Sequence, residues 1–224
     1  MESLAALGME ILELDVTDIE AIQKMKAEIS TRTGGKLDVL VNNAGQTITA
    51  AAADADISSP LLIASGKGCV VNTGSLASVI PTPYLSHYNA TKAALRAFGN
   101  TLRIELAPFN IKVVDLMTGQ VKSNVMKPYS IPDGSLYKPV EAEYLATLHE
   151  RPFVMPAAEY ARIVVSQVDT PKPPRTIWAG KSTTMAWFMV NFLPSFIMCI
   201  GADVWFFEVA SGRYGQEKCV AAVA

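Results

Sequence analysis

Apolar positions along the chain fall into short continuous runs, separated by stretches in which they recur every three or four residues. Met9-Glu-Ile-Leu-Glu-Leu-Asp-Val16 predicts a short strand ending in an acid. Thr17 or Asp18 is placed to N-cap the helix that follows. Ile19, Ile22, Met25 and Ile29 give it an apolar stripe through about residue 31, and Gly34-Gly35 ends it. Leu37 to Val41, broken only by Asp38, reads as a parallel strand covered on both faces. A short helix is predicted from Pro60 to Ser65 and a strand over Cys69 to Thr73. From Tyr84 to Pro108 the spacing of Tyr88, Lys92, Leu95, Phe98, Leu102 and Leu106 predicts a long helix, and Ile111 to Met117 a further strand. Residues 118–140 lack periodicity. Glu141 to Leu148 and Ala157 to Gln167 read as helices, Pro171 to Pro174 as a stiff connector and Thr176 to Ala179 as a last strand.

Strands alternating with helices imply an α/β chain with a doubly wound parallel sheet. Right-handed crossovers put helices on both faces. Ligands of such sheets sit at the carboxyl ends of the strands, here Asp15, Asn42, Thr73 and Thr118.

Composition narrows the class. The chain has 224 residues, enough for one domain or two, and is half apolar and 18% charged, which excludes a disordered chain. Nineteen basic against 21 acidic residues leave no footprint for nucleic acid. Cys69, Cys199 and Cys219 lie too far apart for a disulfide framework or metal-ligand spacing. Met1 to Val16 is not expected to be a secretory leader, because it has no basic start and is interrupted by Glu2, Glu10, Glu13 and Asp15.

The chemistry concentrates at Ser75, Tyr88 and Lys92. Tyr88 and Lys92 are four apart and share a helix face. An ammonium beside a phenol favours the phenolate, so this pair can give or take a proton. Ser75, two residues past a predicted strand, is placed to hold a substrate carbonyl. A lone Tyr-x-x-x-Lys is weak, and the serine thirteen residues upstream strengthens it. His87 lies about 100° around the helix from Tyr88 and reads as a surface residue. Asp54 and Asp56 read as solvated loop residues.

These motifs, in order, resemble the short-chain dehydrogenase/reductase family. Asn42-Asn-Ala-Gly45, Val71-Asn-Thr-Gly-Ser75, Tyr88-Asn-Ala-Thr-Lys92, Asp15-Val16 and Met117-Thr-Gly-Gln-Val-Lys-Ser123 carry the resemblance, with Thr118 where the family has proline. A narrower resemblance, to fungal NADPH-dependent 1-acyldihydroxyacetone-phosphate reductases, rests on Gln46, Leu106-Ala-Pro-Phe109, Thr118 to Asn124 and Pro174 to Gly180. The family resemblance implies a Rossmann-like sheet. It makes Tyr88 the acid/base, Lys92 its partner and a ligand of the nicotinamide ribose, and Ser75 the holder of the substrate oxygen. Asn42, Ala44 and Gly45 would line the cofactor, Gly119 and Val121 would meet its nicotinamide end, Ser123 would take a phosphate contact, and Asp15 and Val16 would border adenine. The implied cofactor is NADPH, and the implied substrate is a lipid-like ketone.

Two departures accompany the resemblance. The family's opening strand, glycine-rich TGxxxGxG turn and second strand have no counterpart here. Only 29 residues separate Gly45 from Ser75, with no asparagine between Asn43 and Asn72, so the family's relay asparagine is not matched. The chain therefore reads as an incomplete Rossmann-like domain over residues 1–180 that lacks the first two strands. The alternative function is an inactive homologue that associates with membrane or with an intact relative.

Residues 181–224 form a hydrophobic extension, in which Ser182 to Ala202 is 21 residues without a charge. Trp187 and Trp205 flank its apolar part, and Lys172, Arg175 and Lys181 precede it. An interfacial anchor, a true span and a buried helix or dimer face all fit this pattern. The resemblance favours the membrane readings, on the cytosolic face of the endoplasmic reticulum or a lipid droplet. A buried segment would imply a cytoplasmic protein. The resemblance also implies a homo-oligomer.

Overall fold

The structure, a computed structural model, describes residues 5–16, 18–43, 60–82, 85–123, 131, 133–135, 138, 141, 154–194 and 196–197. The expected elements at 142–148, together with Ala44, Gly45, Asp54 and Asp56, lie outside these residues.

Helix α1 (Ile19–Thr33) starts where an acid can take its free N–H groups. Asp18 Oδ1 accepts from the backbone N–H of Glu20 at 2.9 Å and of Ala21 at 3.2 Å. It stops at Gly34, which adopts the left-handed φ of 64° that closes a helix at little cost to glycine. Strand β1 (Val39–Asn42) follows. A helix described over residues 60–65, α2, buries Leu61 and Leu62 and leads into β2 (Cys69–Thr73). A 3₁₀ turn, Leu76–Ser78, precedes the long helix α3 (Ser86–Leu106). That helix gives way at Ala107–Phe109 to a second 3₁₀ turn containing Pro108, which closes on Asn110 in the left-handed region. β3 (Lys112–Thr118), α4 (Ala157–Val168), β4 (Thr176–Ala179) and α5 (Thr183–Phe192) complete the order.

The four strands form one sheet in the order β1-β2-β3-β4, parallel throughout. Two apolar layers hold it. On one face Leu62, Val70, Leu102, Leu106, Ile111 and Val113 pack together, with Leu37, Leu40 and Phe98 against them. On the other, Cys69, Val71, Val114, Leu116, Ile177 and Ala179 pack under Tyr160, Ile163, Val164 and Val168 of α4. The alternation of side chains along β2 and β3 thus feeds α2 and α3 on one side and α4 on the other.

Two expectations are corrected on the β1 side. The strand expected over Met9 to Val16 is not formed. A strand exists only beside a partner that takes its backbone groups, and this segment pairs with none of the described strands. Met9, Ile11 and Leu14 are exposed, and Glu10 pairs instead with Arg32 of α1. Asp15 is therefore not at a strand end. β1 itself forms, but among the described strands it is the sheet edge. Leu40 packs inward while Val39 and Val41 remain 42% and 55% exposed, so it is covered on one face and not on both.

The uncharged C-terminal stretch lies partly outside the described residues; its described part contains the ten-residue helix α5. That helix stops before Pro194, with Thr183 and Ala186 buried and Met185, Trp187, Phe188 and Phe192 exposed. Among the described residues, no helix is long and apolar enough to cross a membrane.

Candidate active site

The carboxyl ends of β1, β2 and β3 lie side by side because the strands are parallel and in register. Asn42 stands opposite Asn72, and Asn72 opposite Asp115. Side chains at matched positions of neighbouring strands project to the same face, where they can reach one another. Asn42 Nδ2 donates to Asn72 Oδ1 at 3.1 Å, and Asn72 Nδ2 donates to Asp115 Oδ1 at 3.1 Å. Asn72 is 1% exposed, so this pairing satisfies an amide that would be costly to bury alone.

One residue beyond Asn72, the chain turns toward α3. Lys92 Nζ donates to the Thr73 carbonyl oxygen at 2.8 Å. That bond fixes the ammonium at the end of β2 and leaves two of its three N–H donors for other acceptors. Burial pushes the Lys92 amine below its ordinary value. Its Nζ lies 5.7 Å from the centre of the Tyr88 ring, one helical turn earlier. Asn89 Nδ2 donates to the Ile80 carbonyl at 2.9 Å, which ties the start of α3 to the loop after β2.

Ser75 sits in that loop. Its extended backbone and its Oγ cap the 3₁₀ turn, with Oγ accepting from the Ala77 N–H at 3.2 Å. The hydroxyl proton is not used in that bond and can be donated elsewhere. Ser78 Oγ in turn donates to the Ser75 carbonyl at 2.7 Å. Tyr88, Lys92 and Ser75 are all half-buried, and His87 is exposed.

The segment after β3 is bolted to β4. The Gly119 N–H donates to the Ala179 carbonyl at 2.8 Å, and a Cβ at Gly119 would collide with the Lys181 carbonyl. Gln120 bridges to Lys181 and Val121 to Met155. Ser123 is exposed. Thr118 Oγ1 and the Tyr160 hydroxyl are 2.8 Å apart, and burial, partly offset by that bond, pushes the Tyr160 phenol above its ordinary value.

The residues fit a nicotinamide nucleotide unevenly. At the β2 end, the free donors of Lys92 and the Ser75 hydroxyl suit ribose hydroxyls and a substrate oxygen. At the β1 end, no glycine-rich turn opens onto a helix among the described residues. The N-terminus of α1 is already occupied by the Asp18 carboxylate and cannot take a phosphate in the same place. Asp15 is exposed and Val16 half-buried, both outside any strand.

Sequence reasoning overlooked Asp115 and Arg103. Asp115 is 5% exposed and pairs with Arg103 of α3 at 2.5 Å. The available signal was a single charge inside the apolar run Val113 to Met117.

Comparison with known proteins bears on this arrangement. The sequence model of the family described as short chain dehydrogenase matches residues 2–59 and 55–132. The short-chain dehydrogenase RED1 of Pyricularia oryzae is 34% identical over 211 residues, 83% of this chain and 74% of that protein. The short-chain dehydrogenase virD of Hypocrea virens is 35% identical over 213 residues, 85% of this chain and 74% of that protein. An NADPH-dependent 1-acyldihydroxyacetone phosphate reductase of Schizosaccharomyces pombe is 36% identical over 165 residues, 62% of this chain and 56% of that protein. Among solved structures, a short-chain dehydrogenase from Streptomyces avermitilis is similar with a TM-score of 0.64 and 29% identity, over 95% of this chain and 85% of that one. With its parallel α/β sheet, the chain belongs to the short-chain dehydrogenase family of NAD(P)-dependent oxidoreductases.

Proposed function

We propose that the chain is an NADPH-dependent reductase of a lipid-like ketone, of the kind that 1-acyldihydroxyacetone phosphate represents. The observation that carries this reading is the Lys92 ammonium held on the Thr73 carbonyl, with Tyr88 one turn before it and Ser75 two residues further along the chain. The similarity to the fission yeast reductase supports the substrate class and the choice of NADPH.

In this reading the Ser75 hydroxyl donates to the substrate carbonyl oxygen and orients it. Tyr88 gives that oxygen its proton as the carbonyl becomes an alcohol. Lys92 offsets the charge left on the Tyr88 oxygen and hydrogen-bonds the ribose with its remaining donors. When bound, the reduced nicotinamide supplies the hydride that the carbonyl carbon accepts. Asn42 would line the nucleotide at the β1 end; Ala44 and Gly45, which the resemblance assigns to the same role, lie outside the described residues. Gly119 and Val121 would hold its nicotinamide end and Ser123 would meet a phosphate, while Asp15 and Val16 would border adenine.

Tyr88→Phe tests the assignment. NADPH oxidation driven by 1-acyldihydroxyacetone phosphate is expected to fall by about 10²–10⁴-fold, the range for losing a positioned acid. NADPH affinity is expected to hold. Turnover unchanged by the substitution would exclude Tyr88 as the proton donor.

We also infer that this reductase works at a lipid surface, that of the endoplasmic reticulum or a lipid droplet. Support comes from α5, which carries no charge and exposes Met185, Trp187, Phe188 and Phe192 together, with Phe196 just beyond. Trp187 and Phe188 each pack a ring against Phe192, at 5.7 and 5.2 Å between centres. Co-sedimentation with phosphatidylcholine vesicles is expected for the native chain and is expected to be lost in Trp187→Glu. Equal sedimentation of both would remove α5 as the contact.

A further inference from the structure

The strongest unassigned feature is a largely buried ion pair beneath the site that links the catalytic helix to β3, the neighbour of the strand on which Lys92 rests. Gly99 and Arg103 lie seven and eleven residues beyond Lys92 on α3. At 3.6 residues per turn these positions lie within about 20° of Lys92 around the helix axis. One stripe of α3 therefore meets the sheet at all three. At its upper end Lys92 reaches the Thr73 carbonyl. About three turns on, Arg103 reaches Asp115 Oδ2 at 2.5 Å, the Val113 carbonyl at 3.0 Å and the Arg175 carbonyl at 3.1 Å. Asp115 Oδ1 accepts from Asn72 Nδ2, and Asn72 is the residue before Thr73.

Gly99 makes this arrangement possible. A Cβ there would come within 3.0 Å of both carboxylate oxygens and the carboxyl carbon of Asp115. Glycine in a helix interior is otherwise unfavourable relative to alanine, so helix propensity gives no reason for it at this position. The space it leaves is filled by a carboxylate that is 5% exposed and whose two oxygens are directed, one to each side, at Asn72 and Arg103.

We propose that Gly99, Arg103 and Asp115 are positioning residues for Lys92. Together they set the distance between α3 and the end of β2, and so hold the Thr73 carbonyl where the Lys92 ammonium can dock. They touch neither substrate nor nucleotide and act through Asn72 and the β2 backbone. This inference rests on the reading of Lys92 as a cofactor-binding residue, but its physical content concerns Lys92 in the chain alone.

The test is trace acetylation of the full chain, with Lys92 labelling measured by mass spectrometry against the exposed Lys24. NADPH titration by nicotinamide fluorescence runs alongside. Gly99→Ala and Asp115→Asn are each expected to raise the relative labelling of Lys92 by about fivefold, the scale of one lost hydrogen bond. Leu106→Ala is the control. It opens the apolar core on the same helix and is expected to lower the melting temperature without changing Lys92 labelling. If Gly99→Ala does not fold, Asp115→Asn decides. Labelling of Lys92 at the native rate in a folded Gly99→Ala or Asp115→Asn chain overturns the proposal. So does an equal rise in Leu106→Ala, because that would make the effect general loosening. If the native chain fails to bind NADPH, the cofactor reading falls, while the labelling result still decides the positioning claim.

Discussion

The two flanks of β2 are built from similar sequence and end in different states. Toward β3, the run Ile111 to Met117 is buried on both faces, and its one acid is matched by Asn72 and Arg103. Toward β1, the comparable run Leu37 to Val41 half-buries Leu37 and Leu40 and leaves Val39 and Val41 facing solvent. The residues of the two runs have much the same intrinsic preference for strand. The difference lies in what stands beyond them. β3 has β4, α3 and α4 around it, whereas β1 is the edge among the described strands, and residues 9–15 form no strand beside it. A parallel strand reads as apolar because it expects cover on both faces. Stability and candidate chemistry both gather on the flank where that cover is present.

The largest contrast between the flanks is expected from a pair of substitutions. Leu62→Ala empties a site with no exposure and is expected to cost about 2–5 kcal/mol. Val41→Thr, on the open face of β1, is expected to stay within about 0.5 kcal/mol. Similar costs at both positions would show that β1 is covered in solution. Next comes Asp115→Ala. It leaves the half-buried Arg103 guanidinium and the buried Asn72 amide without their shared carboxylate, a loss on the order of 2–3 kcal/mol that urea unfolding would read directly. A cost under about 1 kcal/mol would mean that Arg103 swings out to water.

A smaller effect concerns pH. Cys69, at the start of β2, has its thiol pushed from 9.0 up to about 11 by burial, with Lys112 pulling the other way. Below pH 9 the thiol is protonated in both folded and unfolded chains, and the contribution to stability is complete. Between pH 9 and 11 the unfolded chain gives up this proton while the folded chain keeps it, so stability declines as pH rises. Cys69→Ala is expected to flatten that part of the profile in thermal melts at successive pH values. An unchanged alkaline slope would place the titration elsewhere.

How much was legible in the sequence follows the same division. The strands Cys69–Thr73 and Thr176–Ala179 and the helix Ile19–Thr33 were readable from local pattern, because each has its own caps or is surrounded by partners. The pairing of Tyr88 with Lys92 was readable from spacing alone. The contact of Lys92 with the Thr73 carbonyl was not, since it depends on where α3 lands on the sheet. The buried pair of Arg103 and Asp115 was likewise hidden. Only strand register brings Asp115 beside Asn72, and register is a property of the assembled sheet. The strand expected at residues 9–16 failed because its alternating pattern describes a capacity to pair, which the described neighbours do not meet. Helix α5 ends just before Pro194, a break that is visible in the sequence.

Titration of the full chain with NADPH, followed by nicotinamide fluorescence in parallel for native protein and Lys92→Met, goes to the centre of the functional reading. Saturable binding by the native chain, clearly weakened in Lys92→Met, is the predicted result. No saturation by millimolar NADPH in a chain that melts cooperatively, or equal affinity in the two proteins, would contradict the assignment of the β2 end as a nicotinamide site.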